Sequence, residues 1–397
     1  MRFLANAVFV ALFGVFISGC SLTFPARLPH KKLDVLLKTT IERCDTNALP
    51  IPDSLTHDDT NSFVYQPRNT GVPKNDIIRG EFFVPKPPRH CVSLVTLLPG
   101  TGEDVSTKEA AEILADAGFC IVRFRSGIEI FDIKKLAQYE VLTEDDVRTF
   151  AREGARIIER RACDYRTVIN YFDRRFCFRA VGVSGVSLGG IFTPILAGSD
   201  PKAQGNLEMI SGANIVDILH FSQERKIVEI RELIAKKFVG ARENAEKMRN
   251  EFSVARFSQF LDPHRIKTIA HNQEKFITWR LAQNPTIWEI LKEELFDIDP
   301  LRFAPSLDPS QTRIIANYWD AVIPIRYARE LWEAAGKPDF EVIIFPPGHY
   351  GSVFLLWIPM IRYELACLAG PICFPVPWSI GRIPEVNLQF FKEKLPR

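Results

Sequence analysis

Ser187 stands in Gly185-Val186-Ser187-Leu188-Gly189, with different surroundings on each side. The run before it, Arg179-Ala180-Val181-Gly182-Val183-Ser184, is apolar and β-prone, and the run after it, Gly190–Ala197, has helical spacing. A serine on a strand–sharp turn–helix junction needs small residues two before and two after it, because a Cβ at either flank meets the neighbouring strand or helix. Such a turn lifts the hydroxyl above the sheet edge, where it can act as a nucleophile. Ser184 competes for that role, but its two-residue neighbours are Gly182 and Val186, and Val186 is too bulky for the turn.

A nucleophilic serine needs a base, the base needs an orienting acid, and the developing oxyanion needs backbone donors. The run Arg313–Tyr318 reads as a buried strand and leads at once into Trp319-Asp320-Ala321. A helical run follows over Ile325–Ala335, then a turn, then a strand Phe340–Phe345 that opens into Pro346-Pro347-Gly348-His349. Asp320 and His349 therefore each follow a predicted parallel strand, at the edge where open α/β sheets place their sites. Asp320 can also be read as a helix N-cap before Ile323, and Asp217, after the strand Leu207–Ile210, is the rival acid. The other histidines (His30, His57, His90, His220, His264 and His271) fall in predicted linkers or helices.

Upstream, the strand Val92–Leu98 ends in Pro99-Gly100-Thr101-Gly102, a glycine-rich loop whose amides can point at an oxyanion. Thr101 is the first candidate donor and Gly102 the next, with the amide of Leu188 as the expected second donor.

These pieces need a particular scaffold. A first strand over Asp76–Val84 is followed by the strand Val92–Leu98, a helix Thr107–Ala117, a strand Phe119–Phe124, a long helix Glu144–Arg175 and the strand before Ser187. That alternation predicts a parallel sheet with crossover helices. From Asn214 to about Asp299 the alternation stops, and charged residues mix with Ile, Leu and Phe at helical intervals. This segment is expected to be helical with solvated charged faces. The apolar run Val353–Ile361 is too short to span a bilayer and reads as a final helix packed on the sheet, or as a segment that in part lines an acyl pocket or rests on the membrane.

Pro99-Gly100-Thr101-Gly102, the Ser187 pentapeptide, Asp320 with Val322 and Pro324, and Gly348-His349 occur in the order of the α/β-hydrolase family, which the chain resembles over roughly residues 76–370. The resemblance implies an α/β-hydrolase fold, with a mostly parallel sheet flanked by helices. It also implies a helical cap at 215–299 between core segments 76–214 and 300–397, and a Ser187–His349–Asp320 triad. The sequence departs from many members in having Pro99-Gly100 where they carry His-Gly in the oxyanion loop.

Residues 1–19 form a separate object. Arg2 precedes an apolar stretch from Leu4 to Ile17 that stops at Ser18-Gly19-Cys20, the layout of a secretory signal. The ending resembles the lipobox of bacterial lipoproteins, which implies cleavage before Cys20 and lipidation there. The resemblance further implies a place in the bacterial cell envelope, with Ser21 after the cysteine leaning toward the outer membrane facing the periplasm. A retained signal anchor is the other reading. Residues 20–75, rich in Pro, Asn, Thr and Asp, read as a tether and irregular lead-in with one helix near Lys32–Arg43.

The formal net charge of +2 gives no sign of a nucleic-acid partner, and 25% charged with 46% apolar residues is a globular balance. Of eight cysteines, Cys20 is assigned to the anchor, and the odd remainder leaves a free thiol in an oxidising compartment. Cys91 and Cys120 fall in predicted strands and read as inert core residues, while Cys163 with Cys177, or Cys367 with Cys373, are candidate pairs. No cysteine or histidine spacing resembles a metal site, and the expected chemistry needs no cofactor. The expected activity is hydrolysis of an ester or thioester, of a small molecule or an acyl lipid. The rivals are an acyltransferase or peptidase with the same triad, and a catalytically silent lipoprotein that binds a ligand or envelope partner.

Overall fold

The computed structural model describes residues 55–57, 62–67, 73–85, 91–100, 106–125, 127–200, 202–251, 263–343, 348–349 and 383–396. Cys20, Thr101, Gly102, the helix expected near Lys32–Arg43 and the apolar run Val353–Ile361 lie outside them.

Among the described residues nine strands form one sheet in the order β1-β2-β3-β5-β4-β6-β7-β8-β9. They are β1 (Leu55–His57), β2 (Ser62–Tyr65), β3 (Ile78–Phe83), β4 (Ser93–Leu98), β5 (Cys120–Phe124), β6 (Ala180–Val186), β7 (Ala203–Met209), β8 (Thr312–Asn317) and β9 (Asp339–Ile343). The strands from β5 across to β9 are mutually parallel, and β1, β2 and β3 add an antiparallel edge. Every residue of β4, β5 and β6 is buried, as expected of parallel strands covered by helices on both faces.

Alternation divides the side chains between two layers. Leu94 and Leu98 join one core, and Val95 and Leu97 join the other. The second core is closed by α2 (Ser106–Asp116) and the C-terminal α13 (Ile383–Lys394). Gly182 lets α13 approach, since a Cβ there would stand 2.5 Å from the Phe391 ring. The first core is closed by α4 (Glu144–Phe176) and α5 (Leu188–Ser199). Helix α4 starts with a capping box, in which the Thr143 hydroxyl accepts from the Asp146 amide and the Asp146 carboxylate accepts from the Thr143 amide.

The lead-in is less irregular than its composition suggests. After β1 and β2 a short helix α1 (Pro73–Asp76) takes Asp76 out of the first predicted strand, so that β3 begins at Ile78. In β2 Phe63 and Tyr65 are buried while Val64 is exposed, and the Phe63 ring stacks edge-on against Phe124. Gly80 of β3 makes room for that ring, because a Cβ there would lie 2.2 Å from it. So short a strand gives little period to read, and it exists because β3 offers an edge and a slot.

The cysteines also differ from expectation. Cys91 and Cys120 are joined by a disulfide. The parallel register puts Leu94 beside Cys120 and so brings Cys91, just before β4, within 5.4 Å Cα to Cα of it. Cys163 is disulfide-bonded, but Cys177 is a free, exposed thiol, so these two do not pair. Cys367 and Cys373 lie outside the described residues.

Short α3 (Ile133–Gln138) precedes α4. Between β7 and β8 the described residues form α6 (Ile215–Phe221), α7 (Arg225–Lys237), α8 (Ala241–Glu251), α9 (Pro263–Leu281) and α10 (Pro285–Leu295), followed by α11 (Pro300–Phe303). One carboxylate ties the ends of this segment together. Asp299 accepts from the amides of Asn214 at 3.1 Å and Ile215 at 2.6 Å, and from Leu301 at 2.9 Å as the cap of α11. Burial still holds the Asp299 carboxyl above its ordinary range, despite these amides.

Candidate active site

The turn between β6 and α5 is strained as the flanking glycines require. Ser187 has φ 56° and ψ −118°, a left-handed region that a residue with a Cβ seldom occupies. A Cβ on Gly185 would stand 2.3 Å from the Gly189 carbonyl, and a Cβ on Gly189 would stand 2.5 Å from the Leu98 oxygen. Both distances are impossible for carbon, so the helix can start directly against the strand only with glycine at these two positions. The Ser187 amide donates to the Met209 carbonyl at 3.0 Å, which anchors the turn to β7.

Ser187 Oγ lies 2.8 Å from His349 Nε2, and His349 Nδ1 lies 2.6 Å from Asp320 Oδ2. His349 and Asp320 are 5% and 6% exposed, so water competes little for this chain of bonds. With a carboxylate accepting at Nδ1, the proton of the neutral imidazole belongs there, and Nε2 is left to accept from the serine hydroxyl.

Asp320 satisfies both readings of its sequence context at once. Its Oδ1 accepts from the amides of Val322 at 2.8 Å and Ile323 at 2.7 Å, as a local cap would, while its Oδ2 faces the imidazole. Asp217, the rival acid, lies within α6 and accepts from the Asn214 side chain at 3.2 Å. Ser184 is 1% exposed within β6, its hydroxyl without a partner among the described residues.

The oxyanion side is described in part. Gly189 abuts the end of β4, and a Cβ on Gly100 would be 3.8 Å from the Val186 carbonyl, so the loop that opens at Pro99 starts beside the elbow. Leu188 opens α5, where the first amides of a helix have no intrahelical acceptor. Thr101 and Gly102, outside the described residues, follow directly on Gly100 in the chain.

Asn317 is a site residue that no motif in the sequence marks. It is 1% exposed at the end of β8, donates from Nδ2 to the Gly348 carbonyl at 3.2 Å, and accepts the Trp319 amide at 2.6 Å. One side chain therefore fixes both the loop that carries Asp320 and the residue before His349. The available signal was a buried amide three residues before the acid, at the edge of an otherwise apolar strand. Gly348 has φ 66°, a conformation that favours glycine, and a Cβ there would stand 3.5 Å from the Trp319 carbonyl oxygen. Among the described residues no group of acidic, histidine or cysteine side chains is placed to hold a metal ion.

The sheet order, with a sharp serine turn between β6 and α5 and the partners of that serine after β8 and β9, defines an α/β-hydrolase fold. No protein-family model matches the chain, and no curated protein matches it. Among solved structures it is similar to an acylaminoacyl peptidase from Pyrococcus horikoshii, at 12% identity and a TM-score of 0.45, covering 87% of this chain and 42% of that one. It is also similar to an acetyl xylan esterase from Paenibacillus sp. R4, at 13% identity and a TM-score of 0.45, with 83% and 90% covered. A third is a cold-adapted esterase from an Arctic intertidal metagenomic library, at 11% identity and a TM-score of 0.44, with 88% and 100% covered. This chain thus spans less than half the length of the peptidase.

Proposed function

We propose that the protein is a serine hydrolase that cleaves an ester or thioester through Ser187, His349 and Asp320. The observation that carries this reading is the continuous hydrogen-bonded chain from Ser187 Oγ to His349 to Asp320, with the serine on a strained turn at the sheet edge. In the proposed reaction His349 Nε2 takes the hydroxyl proton as Ser187 Oγ bonds to the acyl carbon. The amides of Leu188 and Thr101, with Gly102 adjacent, hold the oxyanion. Asp320 keeps the imidazole in its Nδ1–H form and stabilises the imidazolium. His349 then gives the proton to the leaving oxygen or sulfur; the same nitrogen next takes a proton from a water whose oxygen bonds to the acyl carbon, and passes it to Ser187 Oγ as the Ser187–acyl bond breaks and the acid leaves. The acyl group moves twice, from its leaving group to Ser187 and from Ser187 to water, and neither transfer requires a cofactor.

The protein is further proposed to be a lipoprotein of the bacterial envelope, anchored through Cys20 and placed at the outer membrane facing the periplasm. The Cys91–Cys120 disulfide and the oxidised state of Cys163 support an oxidising compartment. An anchor at a lipid surface favours an acyl lipid as the substrate class, because tethering raises the local concentration of enzyme there.

Labelling with a fluorophosphonate probe tests the chemistry, and palmitate incorporation tests the anchor. Wild type is expected to label and Ser187→Ala to lose both the label and p-nitrophenyl ester turnover. Label retained in Ser187→Ala would refute the assignment of the nucleophile. Cys20→Ser is expected to leave an uncleaved precursor without palmitate; normal processing of that variant would remove the lipoprotein reading.

A further inference from the structure

Arg148, Arg152, Arg156 and Arg160 recur at every fourth residue of α4 and so form one ridge on its surface. The first two are neutralised by α10. Arg148 Nη1 donates to Glu293 and Glu294 at 2.8 Å each, and Arg152 Nε donates to Glu294 at 2.7 Å. The ridge continues without such partners. Arg156 and Arg160 are exposed and make no hydrogen bond or ion pair among the described residues.

Both line a cleft of about 610 Å3 bounded by Asn75, the segment from Glu129 to Asp132, α3 and α4. Lys134 stands on its other wall, and its ammonium is likewise unpaired among the described residues. Of the three acids that line the cleft, Glu129 is exposed and its carboxylate makes no bond among the described residues, while the other two are committed. Asp132 accepts from the amides of Lys134 and Lys135 at 2.9 and 3.2 Å, and Glu153 takes both of its oxygens to Lys135 Nζ at 2.6 and 2.7 Å. The wall itself is fixed, since the Asn75 side chain donates to the Glu129 carbonyl at 2.9 Å and accepts its amide at 3.0 Å.

Like charges four apart on a helix repel, and on this ridge the cost is offset at Arg148 and Arg152 by carboxylates. At Arg156 and Arg160 the same need is left open toward a cleft. Two guanidinium forks and an ammonium that line one cleft suit a tetrahedral, doubly charged oxyanion better than a single carboxylate, because each fork can engage two oxygens.

We propose that this cleft binds a phosphate group, held by Arg156 and Arg160 on one wall and Lys134 on the other. The group belongs either to a soluble phosphorylated molecule or to a lipid headgroup. The site shares no residue with the Ser187 chain, and the proposal stands whether or not the protein is a hydrolase.

The test uses the full chain as wild type, as Arg156→Gln/Arg160→Gln, and as Arg148→Gln. Each is titrated with inorganic phosphate by calorimetry. Each is also sedimented with phosphatidylcholine vesicles with and without phosphatidate, reading the excess bound to the phosphatidate vesicles. Wild type is expected to bind at least one probe saturably. The double variant is expected to be weaker by about tenfold or more, since it loses the two charged forks. Arg148→Gln, which alters the neutralised part of the ridge, is expected to bind as wild type does. Binding of phosphate by itself assigns a soluble ligand, and a vesicle excess without phosphate binding assigns a headgroup. The proposal is overturned if wild type binds neither probe, or if the double variant, with an unchanged circular-dichroism melt, binds as well as wild type. An Arg156→Lys/Arg160→Lys variant retaining part of the affinity separates charge from folding damage.

Discussion

Replacing Asp320 in two ways separates its two oxygens. In Asp320→Asn the amide oxygen can keep the bonds from Val322 and Ile323, so the local cap survives. The amide NH2 then faces His349 Nδ1, where the wild type has an acceptor at 2.6 Å. Nδ1 must accept instead, the imidazole proton moves to Nε2, and the Ser187 hydroxyl loses its acceptor at 2.8 Å. In another Ser-His-Asp enzyme the same substitution lowers turnover by about 10⁴, which corresponds to about 5.4 kcal/mol of transition-state stabilisation. Asp320→Ala is expected to lose as much activity and also stability, because the Val322 and Ile323 amides are left without acceptors, at about 1–3 kcal/mol for each buried donor. The assay is kcat/KM on p-nitrophenyl acetate together with urea unfolding of both variants. Asp217→Asn serves as the control, since that carboxylate bonds to Asn214 within α6, and it should retain activity. Activity above about a tenth of wild type in Asp320→Asn, or equal instability of the Asn and Ala variants, would refute the reasoning.

Three further outcomes follow from the packing. Gly185→Ala puts a Cβ 2.3 Å from the Gly189 carbonyl; overpacking of this kind costs about 1–3 kcal/mol, and labelling of Ser187 should fall with it, whereas a fully active and stable variant would show that the elbow can yield. Glu208 is fully buried on β7 with both carboxyl oxygens unpartnered among the described residues, and burial holds its pKa well above 4.5. The folded state therefore keeps a proton that the unfolded chain releases, and the stability this proton confers is full below about pH 4.5 and is lost as pH rises toward the folded pKa, at up to about 1.4 kcal/mol per unit. Glu208→Gln should be near neutral in stability at pH 4 and stabilising at pH 8, and urea melts showing a pH-independent difference would contradict the buried neutral carboxyl. The Cys91–Cys120 disulfide closes a separation of 29 residues, so the double alanine variant should lose about 3–4 kcal/mol on a chain-entropy estimate, and an unchanged urea midpoint would count against the bond.

Much of the sheet could be read in the chain because its determinants are local. The helix expected at Glu144–Arg175 occurs at Glu144–Phe176, and the strand expected at Arg313–Tyr318 occurs at Thr312–Asn317. Apolar period, a capping box and the glycine pair around Ser187 are written within a few residues of where they act. The serine, aspartate and histidine could likewise be nominated one by one, each at the end of its own strand.

Their contact could not. Whether Asp320 or Asp217 faces His349 depends on where β7, β8 and β9 lie relative to one another, and residues 29 apart in sequence meet only after that register is set. The Cys91–Cys120 bond, the Phe63 slot over Gly80, the Asn317 brace and the Asp299 tie have the same origin. Each joins groups with no common local signal, brought together by strand pairing and by the burial of apolar surface. The sequence thus determined the strained turn, the succession of elements and the residue types at the sheet edge. The tertiary structure decided which of those residues touch, because hydrogen bonds of under 3 Å depend on register and packing that no short segment contains.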